Sequence, residues 1–88
     1  MPIPKDRNPK RTFKELRQQI LTVLLKGRKT VNQLAKDTGI NWKTVDNHLI
    51  WLKGRGFVRE VFASSYVKIY ELSGEGRKFL GIAEGEVQ

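Results

Sequence analysis

The segment TVNQLAKDTGINWKTVDNHLIWL, residues 30–52, contains two short helical patterns separated by a glycine turn. Thr30 is followed three residues later by Gln33, which is the spacing of a capping box at the start of a helix. Gly39 can adopt the left-handed conformation that commonly ends a helix. Asn41 is a good N-cap for a second helix directly after it. Two helices joined by so short a turn must pack against each other, so the segment predicts a helix-turn-helix unit.

The second of these helices has a narrow apolar face. Its apolar residues recur at i, i+4 and i+7, the spacing of one buried stripe: Val45, Leu49 and Leu52. An earlier helix is predicted from Thr12, because Glu15 completes a capping box there. The apolar residues of that earlier helix also share one face: Phe13, Leu16, Ile20, Val23 and Leu24.

The period of the pattern changes after Gly56. FVREVF and YVKIYEL are rich in β-branched and aromatic residues, and ASS separates them. This predicts a β-hairpin with its tip at residues 63–65. Ser73 then begins a short C-terminal helix. The predicted fold is α+β, a winged helix-turn-helix in which a three-helix core carries a β-hairpin wing and a short C-terminal helix.

We expect one domain over residues 12–83, flanked by a flexible basic arm (1–11) and a tail (84–88). All three prolines lie in the arm. The net charge is +8, and residues 1–29 alone carry +7. Such asymmetry suggests a polyanionic partner, either nucleic acid or an anionic membrane surface. The sequence has no cysteine, no signal-peptide pattern and no apolar run long enough to span a membrane. We therefore expect a cytoplasmic protein that does not enter membranes.

The sequence resembles the winged helix-turn-helix transcription regulators of the arsenic-resistance and multiple-antibiotic-resistance type. The resemblance covers about residues 13–80 and rests on the joint spacing of Leu34-Ala35, Gly39, Thr44-Val45, His48-Leu49, Leu52, Gly56 and Tyr70-x-Leu72. It implies binding to double-stranded DNA, usually as a homodimer, with the third helix in the major groove. It also implies transcription regulation.

A helical wheel of the third helix, at about 100° per residue, indicates which side chains could read DNA. With the apolar stripe turned inward, Lys43 and Asn47 lie opposite it and Thr44 lies on a flank. Lysine can reach guanine or a phosphate, and asparagine can pair with adenine. Thr44 can bind a phosphate or contact a thymine methyl group, and Asn41 belongs to the same helix end. We predict that all four contact DNA, because this end of the helix reaches base edges in helix-turn-helix docking. The alternative for Lys43, Thr44 and Asn47 is a solvated helix face.

Further cations are predicted to contact the DNA backbone. The arm supplies Lys5, Arg7, Lys10 and Arg11. Lys29 lies beside the start of the second helix, where anions are favoured, and Lys68 points outward from a strand of the wing. For Asp46 a local partner is the favoured interpretation.

Three aromatic or heterocyclic residues of the third helix have interpretations of their own. Trp42 is predicted to pack against the first or second helix. Trp51 either packs against the hairpin or arm or forms a protein-binding patch with Ile50. His48, the single histidine, is interpreted as a helix residue with one hydrogen bond.

We expect no enzymatic activity, no cofactor and no metal site, because no convergent ligand set or nucleophile–base pair is visible. No small-molecule effector is implied either. Two alternatives to a regulator remain open at this stage. One is an architectural DNA-binding protein with little sequence preference, and the other is a winged-helix module that binds a protein.

Overall fold

The computed structural model describes residues 12–81, and within them the chain forms four helices and three strands. Their order is α1 (Phe13–Leu24), β1 (Lys29–Thr30), α2 (Val31–Thr38), α3 (Trp42–Gly54), β2 (Val58–Ala63), β3 (Lys68–Leu72) and α4 (Gly74–Phe79). The predicted α+β winged helix-turn-helix fold is confirmed. The arm and residues 82–88 lie outside the described residues, so the predicted domain limits stay a prediction.

The helix starts follow from local hydrogen bonds. At α1 the Thr12 hydroxyl accepts from the Glu15 amide (3.1 Å), and the Thr12 amide donates to the Glu15 carboxylate (2.9 Å). Thr30 and Gln33 form the same pair of bonds at α2, at 3.0 and 2.9 Å. Gly39 ends α2 with φ 74°, a conformation that glycine adopts without strain. Both capping boxes and the glycine turn are therefore confirmed.

The core lies where the first three helices meet one face of the sheet. Its buried apolar side chains are Ile20, Leu21, Leu24, Leu34, Ile40, Val45, Leu49, Leu52, Val58, Tyr70 and Leu72. The prediction for α1 was wrong at one end of the helix. Phe13 is 66% exposed, whereas Leu21 is fully buried. Phe13 lies in the first turn, where its ring stands at 77° to the His48 ring and the Arg17 guanidinium carbon lies 5.4 Å from its centroid. The core packs against the middle and end of α1 instead.

The wing is the antiparallel β2–β3 hairpin, which confirms the predicted hairpin. The predicted tip was too short, because Tyr66 and Val67 belong to the turn rather than to a strand. The Ser64 amide donates to the Val67 carbonyl (2.8 Å), and the Ser64 hydroxyl accepts from the amides of Tyr66 and Val67, both at 3.1 Å. A serine-bonded turn thus replaces the first residues of the expected second strand.

The sheet has a third strand that was not predicted from the sequence. β1 pairs with β3, so that the sheet order is β1-β3-β2. Its two residues, Lys29 and Thr30, are too few for an alternating pattern to be recognised. The strand attaches the start of α2 to the sheet.

The last helix of the described residues is α4, and the predicted short helix after Ser73 is confirmed. The Ser73 hydroxyl accepts from the Gly76 amide (3.1 Å) and donates to the Gly56 carbonyl (2.6 Å). This serine therefore begins α4 and also attaches it to the segment before β2. None of the helices within residues 12–81 combines the length and apolar character needed to cross a bilayer.

Candidate nucleic-acid interface

One face of α3 points away from the core. Lys43, Asn47, Ile50 and Gly54, which we call the reading face, are all exposed. The opposite face carries the fully buried Val45, Leu49 and Leu52. The wheel prediction for the exposed and buried faces of α3 is therefore confirmed, and Lys43 and Asn47 project from one surface.

The N-terminal end of α3 carries the other two predicted DNA contacts. The Asn41 side-chain oxygen accepts from the Lys43 amide (2.8 Å), so this oxygen caps the helix. The Asn41 residue as a whole is exposed. Thr44 is half-buried on the flank of the helix. Asn41 and Lys43 are thus better presented to a ligand than Thr44.

The wing is joined to one flank of α3 by two ion pairs. Lys53 Nζ lies 2.8 Å from the Glu60 carboxylate, and Lys68 Nζ lies 3.6 Å from the Asp46 carboxylate. The hydrogen bond from Lys53 lowers the pKa of Glu60. A local partner for Asp46 is confirmed. Lys68, predicted to face outward toward DNA, instead points toward α3.

Arg17 of α1 covers the opposite flank. Its guanidinium carbon lies 3.6 Å from the centroid of the Trp51 ring, and its Nε donates to His48 Nδ1 (3.2 Å). Trp51 also approaches Phe57, with 6.3 Å between ring centroids. Trp51 therefore packs within the domain, but its described partners are α1 and the segment just before β2 instead of the β2–β3 hairpin itself.

His48 has the single hydrogen bond that was predicted, but its burial was missed. The side chain is only 5% exposed. Burial, and then the charge of Arg17, lower the pKa of His48. A signal for burial was available, because His48 stands three residues after Val45 and four before Leu52, on the edge of the apolar stripe.

Trp42 contradicts its predicted packing role, since 57% of its surface is exposed. It lines an open groove of about 350 Å³ together with Thr30, Asn32 and residues 64–68 of the wing tip. The angle on the wheel was a poor guide, because Trp42 is the first residue of α3 and its side chain borders this open groove instead of the core. Tyr66, also on this groove, is 94% exposed and was not singled out by the sequence analysis.

The remaining predicted cations differ in their surroundings. Lys29 Nζ lies 3.7 Å from Asp37, and its side chain is only 24% exposed. Lys5, Arg7, Lys10 and Arg11 lie outside the described residues. Arg28 and Arg59 share the Glu71 carboxylate at 3.0 Å each, and these bonds lower the pKa of Glu71. Arg28, Lys29 and Arg59 are thus engaged by carboxylates, whereas Lys43, the cation of the reading face, is presented to solvent.

Two further features of the described residues concern metal binding and ionisation. Among residues 12–81 no three histidine, aspartate or glutamate side chains gather as metal ligands. Burial and the neighbouring Glu60 carboxylate raise the pKa of the Tyr70 phenol to about 12, so it stays protonated at neutral pH.

Comparisons with known proteins agree with this geometry. A family model described as "Bacterial regulatory protein, arsR family" matches residues 14–60. No curated protein sequence gave a match. Among solved structures, a possible transcriptional regulatory protein from Mycobacterium bovis is 32% identical over 74% of this chain and 69% of that chain, with a TM-score of 0.63.

Two further structures extend the comparison. A homodimeric winged helix-turn-helix DNA-binding domain from Mycobacterium bovis, a possible ArsR-family transcriptional regulator, is also 32% identical (TM-score 0.63). The match covers 74% of this chain and 59% of that chain. A zinc-responsive MarR family member from Lactococcus lactis is 18% identical over 90% of this chain and 55% of that chain, with a TM-score of 0.69. At that identity it shows the fold alone.

Proposed function

The protein belongs to the ArsR family of bacterial regulatory proteins, and from this premise we propose how it binds its DNA. It is a sequence-specific DNA-binding transcription regulator with a winged helix-turn-helix fold. In our proposal α3 enters the major groove, where Lys43 and Asn47 contact base edges. The observation that carries this proposal is the exposed reading face of α3, held in position by the wing on one flank and by Arg17 on the other.

The chemistry of the two side chains suits base recognition. Lysine donates to guanine O6 and N7, and the asparagine amide pairs with adenine N6 and N7. Both lie toward the N-terminal half of α3, the end that reaches bases in helix-turn-helix docking. Asn41 and Thr44 border this region, and we assign them to the neighbouring phosphates, which position the helix without reading sequence.

We assign the other predicted cations to the DNA backbone. Lys5, Arg7, Lys10 and Arg11 precede α1 and would follow phosphates or enter a minor groove. Lys29 and Lys68 have carboxylate partners in the free protein, at 3.7 and 3.6 Å. The ammonium group of lysine has three N–H donors, so each of these lysines can donate to a phosphate while it keeps its carboxylate partner.

We propose a homodimer acting in the cytoplasm, where a bacterium keeps its chromosome. The Mycobacterium bovis domain described as homodimeric supports the dimer. Two copies of α3 in one dimer would then lie about 34–36 Å apart, one turn of DNA. The chain spans only 53–70% of the length of the structures that it resembles, so this assembly is a proposal for the whole protein. The proposal includes no small-molecule effector.

The test is selection of bound duplexes from a random library, repeated over a salt series. We expect wild type to enrich an inverted repeat with half-sites one turn apart. A Lys43→Ala/Asn47→Ala variant should lose the motif, because each bidentate base contact contributes about 1–3 kcal/mol of discrimination.

The matched control is Lys14→Ala/Gln18→Ala. It removes the same charge and the same amide from the exposed surface of α1, and it should keep the motif. Equal binding to all sequences by wild type would contradict the proposal and favour an architectural protein. A motif without two-fold symmetry would contradict the dimer alone.

A further inference from the structure

Ile50 is an apolar side chain at the middle of a surface otherwise suited to DNA. It is 57% exposed, although the neighbouring Leu49 is fully buried. On the reading face it follows Asn47 and precedes Gly54. An isoleucine left in water lacks the stabilisation that burial of its apolar side chain would contribute. A bound DNA or protein partner could cover this exposed side chain.

The surroundings of Ile50 do not suit a protein partner. Residues three and four positions away on a helix are its surface neighbours, and here they are Asp46, Asn47, Lys53 and Gly54. A stable protein interface buries about 800 Å² per partner around an apolar centre that is poor in charge. Trp51, the candidate companion of Ile50 in such a patch, is covered by Arg17. Trp42 is also exposed, but it lies eight residues earlier, about 12 Å along the axis.

The same surroundings suit a neutral apolar group on a base. Asp46 and Lys53 both have partners in the wing, so the charges beside Ile50 are neutralised. Gly54, one turn further on, has no side chain and leaves room for a ligand to approach. In the major groove the apolar group that a base pair presents is the 5-methyl group of thymine.

Distances along the helix fix the position of this contact relative to Asn47. At 1.5 Å per residue, Ile50 lies about 4.5 Å further along the axis than Asn47. Stacked base pairs are about 3.4 Å apart. Ile50 thus faces a base pair one or two steps from the pair that Asn47 contacts.

We propose that Ile50 contacts the 5-methyl group of a thymine one or two base pairs from the pair read by Asn47, and so contributes to sequence specificity. This inference rests on the proposed docking of α3 in the major groove. It assigns to Ile50 a base contact rather than a protein contact.

The test replaces single thymines of the selected site with uracil, which removes the methyl group and keeps every hydrogen bond. We expect wild type to lose about fourfold in affinity at one thymine near the Asn47-dependent position, the effect of one methyl group leaving an apolar contact. Ile50→Ala should bind the thymine and uracil duplexes equally. Lys43→Ala leaves Ile50 in place, so this variant should still bind the thymine duplex more tightly than the uracil duplex.

The outcomes separate this inference from the proposed function. If wild type selects no motif, the proposed docking fails. If wild type selects a motif but tolerates uracil at every thymine, or if Ile50→Ala keeps the methyl preference, the contact is wrong while the docking stands. Sedimentation without DNA tests the alternative that Ile50 lies in a protein interface. That alternative would be correct if Ile50→Ala lost self-association and showed no effect of the thymine methyl group. Ile50 is exposed, so its substitution should leave the melting temperature nearly unchanged.

Discussion

At the scale of single residues, His48 links the protonation of the protein to the packing of α1 on α3. Its Nδ1 accepts a hydrogen bond from Arg17 Nε, and this requires the unprotonated nitrogen. Protonation would remove the acceptor and would place a second positive charge beside the guanidinium. Phe13, the other described group against the ring, is apolar and cannot compensate.

Stability should therefore fall as the pH drops below about 6.5. The pKa of His48 is lowered in the folded state, so in the window between the lowered value and 6.5 the unfolded chain binds more protons. Above that window His48 does not change the free energy of unfolding. As the pH falls through the window, the free energy of unfolding decreases by at most about 1.4 kcal/mol per pH unit. Denaturant titrations between pH 7.5 and 5.5 measure the slope.

His48→Gln is the control for this prediction, because glutamine offers Arg17 an acceptor that does not titrate. The variant should have a flatter dependence of stability on pH over the same range. The pKa values of Glu60 and Glu71 are lowered, so these carboxylates titrate below this pH range. An identical slope in the variant would show that another group is responsible.

At the scale of elements, the contact between α4 and the segment before β2 depends on one glycine. A Cβ atom at Gly76 would collide with the Phe57 carbonyl oxygen and would lie 2.6 Å from Leu72 Cδ1. Phe57 also stacks on Phe79 of α4, with 4.6 Å between ring centroids. The close approach of α4 to the backbone at Phe57 is therefore possible only without a side chain at position 76.

Gly76→Ala should destabilise the protein by about 1–3 kcal/mol, because backbone atoms must move to admit the methyl group. Gly74→Ala is the matched control in the same helical turn, since no atom lies within 4 Å of its Cβ position. That control should be neutral or slightly stabilising, because alanine is the better helix former. Chemical denaturation measures both, and equal stability of the two variants would contradict the assigned contact.

At the scale of the whole molecule, the distribution of charge should govern the strength of DNA binding. The net charge is +8, and residues 1–29 carry most of it. Several cations of the described part have carboxylate partners, including Arg28, Arg59 and Lys53. Four basic residues of the arm precede this part of the chain, and we expect them to contribute strongly to the salt dependence.

Replacing Lys5, Arg7, Lys10 and Arg11 with glutamine should flatten the slope of log K against log salt by about 3 to 4 per protomer, since each phosphate contact contributes about 0.9. Binding measured between 50 and 200 mM salt, a range of about fourfold, gives the slope. The control replaces four exposed cations elsewhere, Lys14, Lys26, Lys36 and Lys78, at the same cost in charge. If both variants flatten the slope equally, the total charge matters and the arm has no contacts of its own.

The parts of the molecule that depend on short-range chemistry could be predicted from the sequence. Thr12, Thr30 and Ser73 begin helices through bonds to residues three positions away, and the left-handed Gly39 ends one. The stripe of α3 and its opposite reading face follow from helical period alone. These features led to the fold and to Lys43 and Asn47 as candidate contacts, because neither a capping bond nor a helix face needs a distant partner.

The position of α3 depends on contacts between residues that are distant in the chain. Arg17 lies 31 positions from His48 in the chain, and Lys68 lies 22 positions from Asp46. No local sequence pattern could therefore predict either contact. The same holds for the exposure of Trp42 and for β1, a two-residue strand that exists because β3 lies beside it. Burial and ion pairing are properties of neighbours in space, and the packing of α1 and the wing on α3 determines those neighbours.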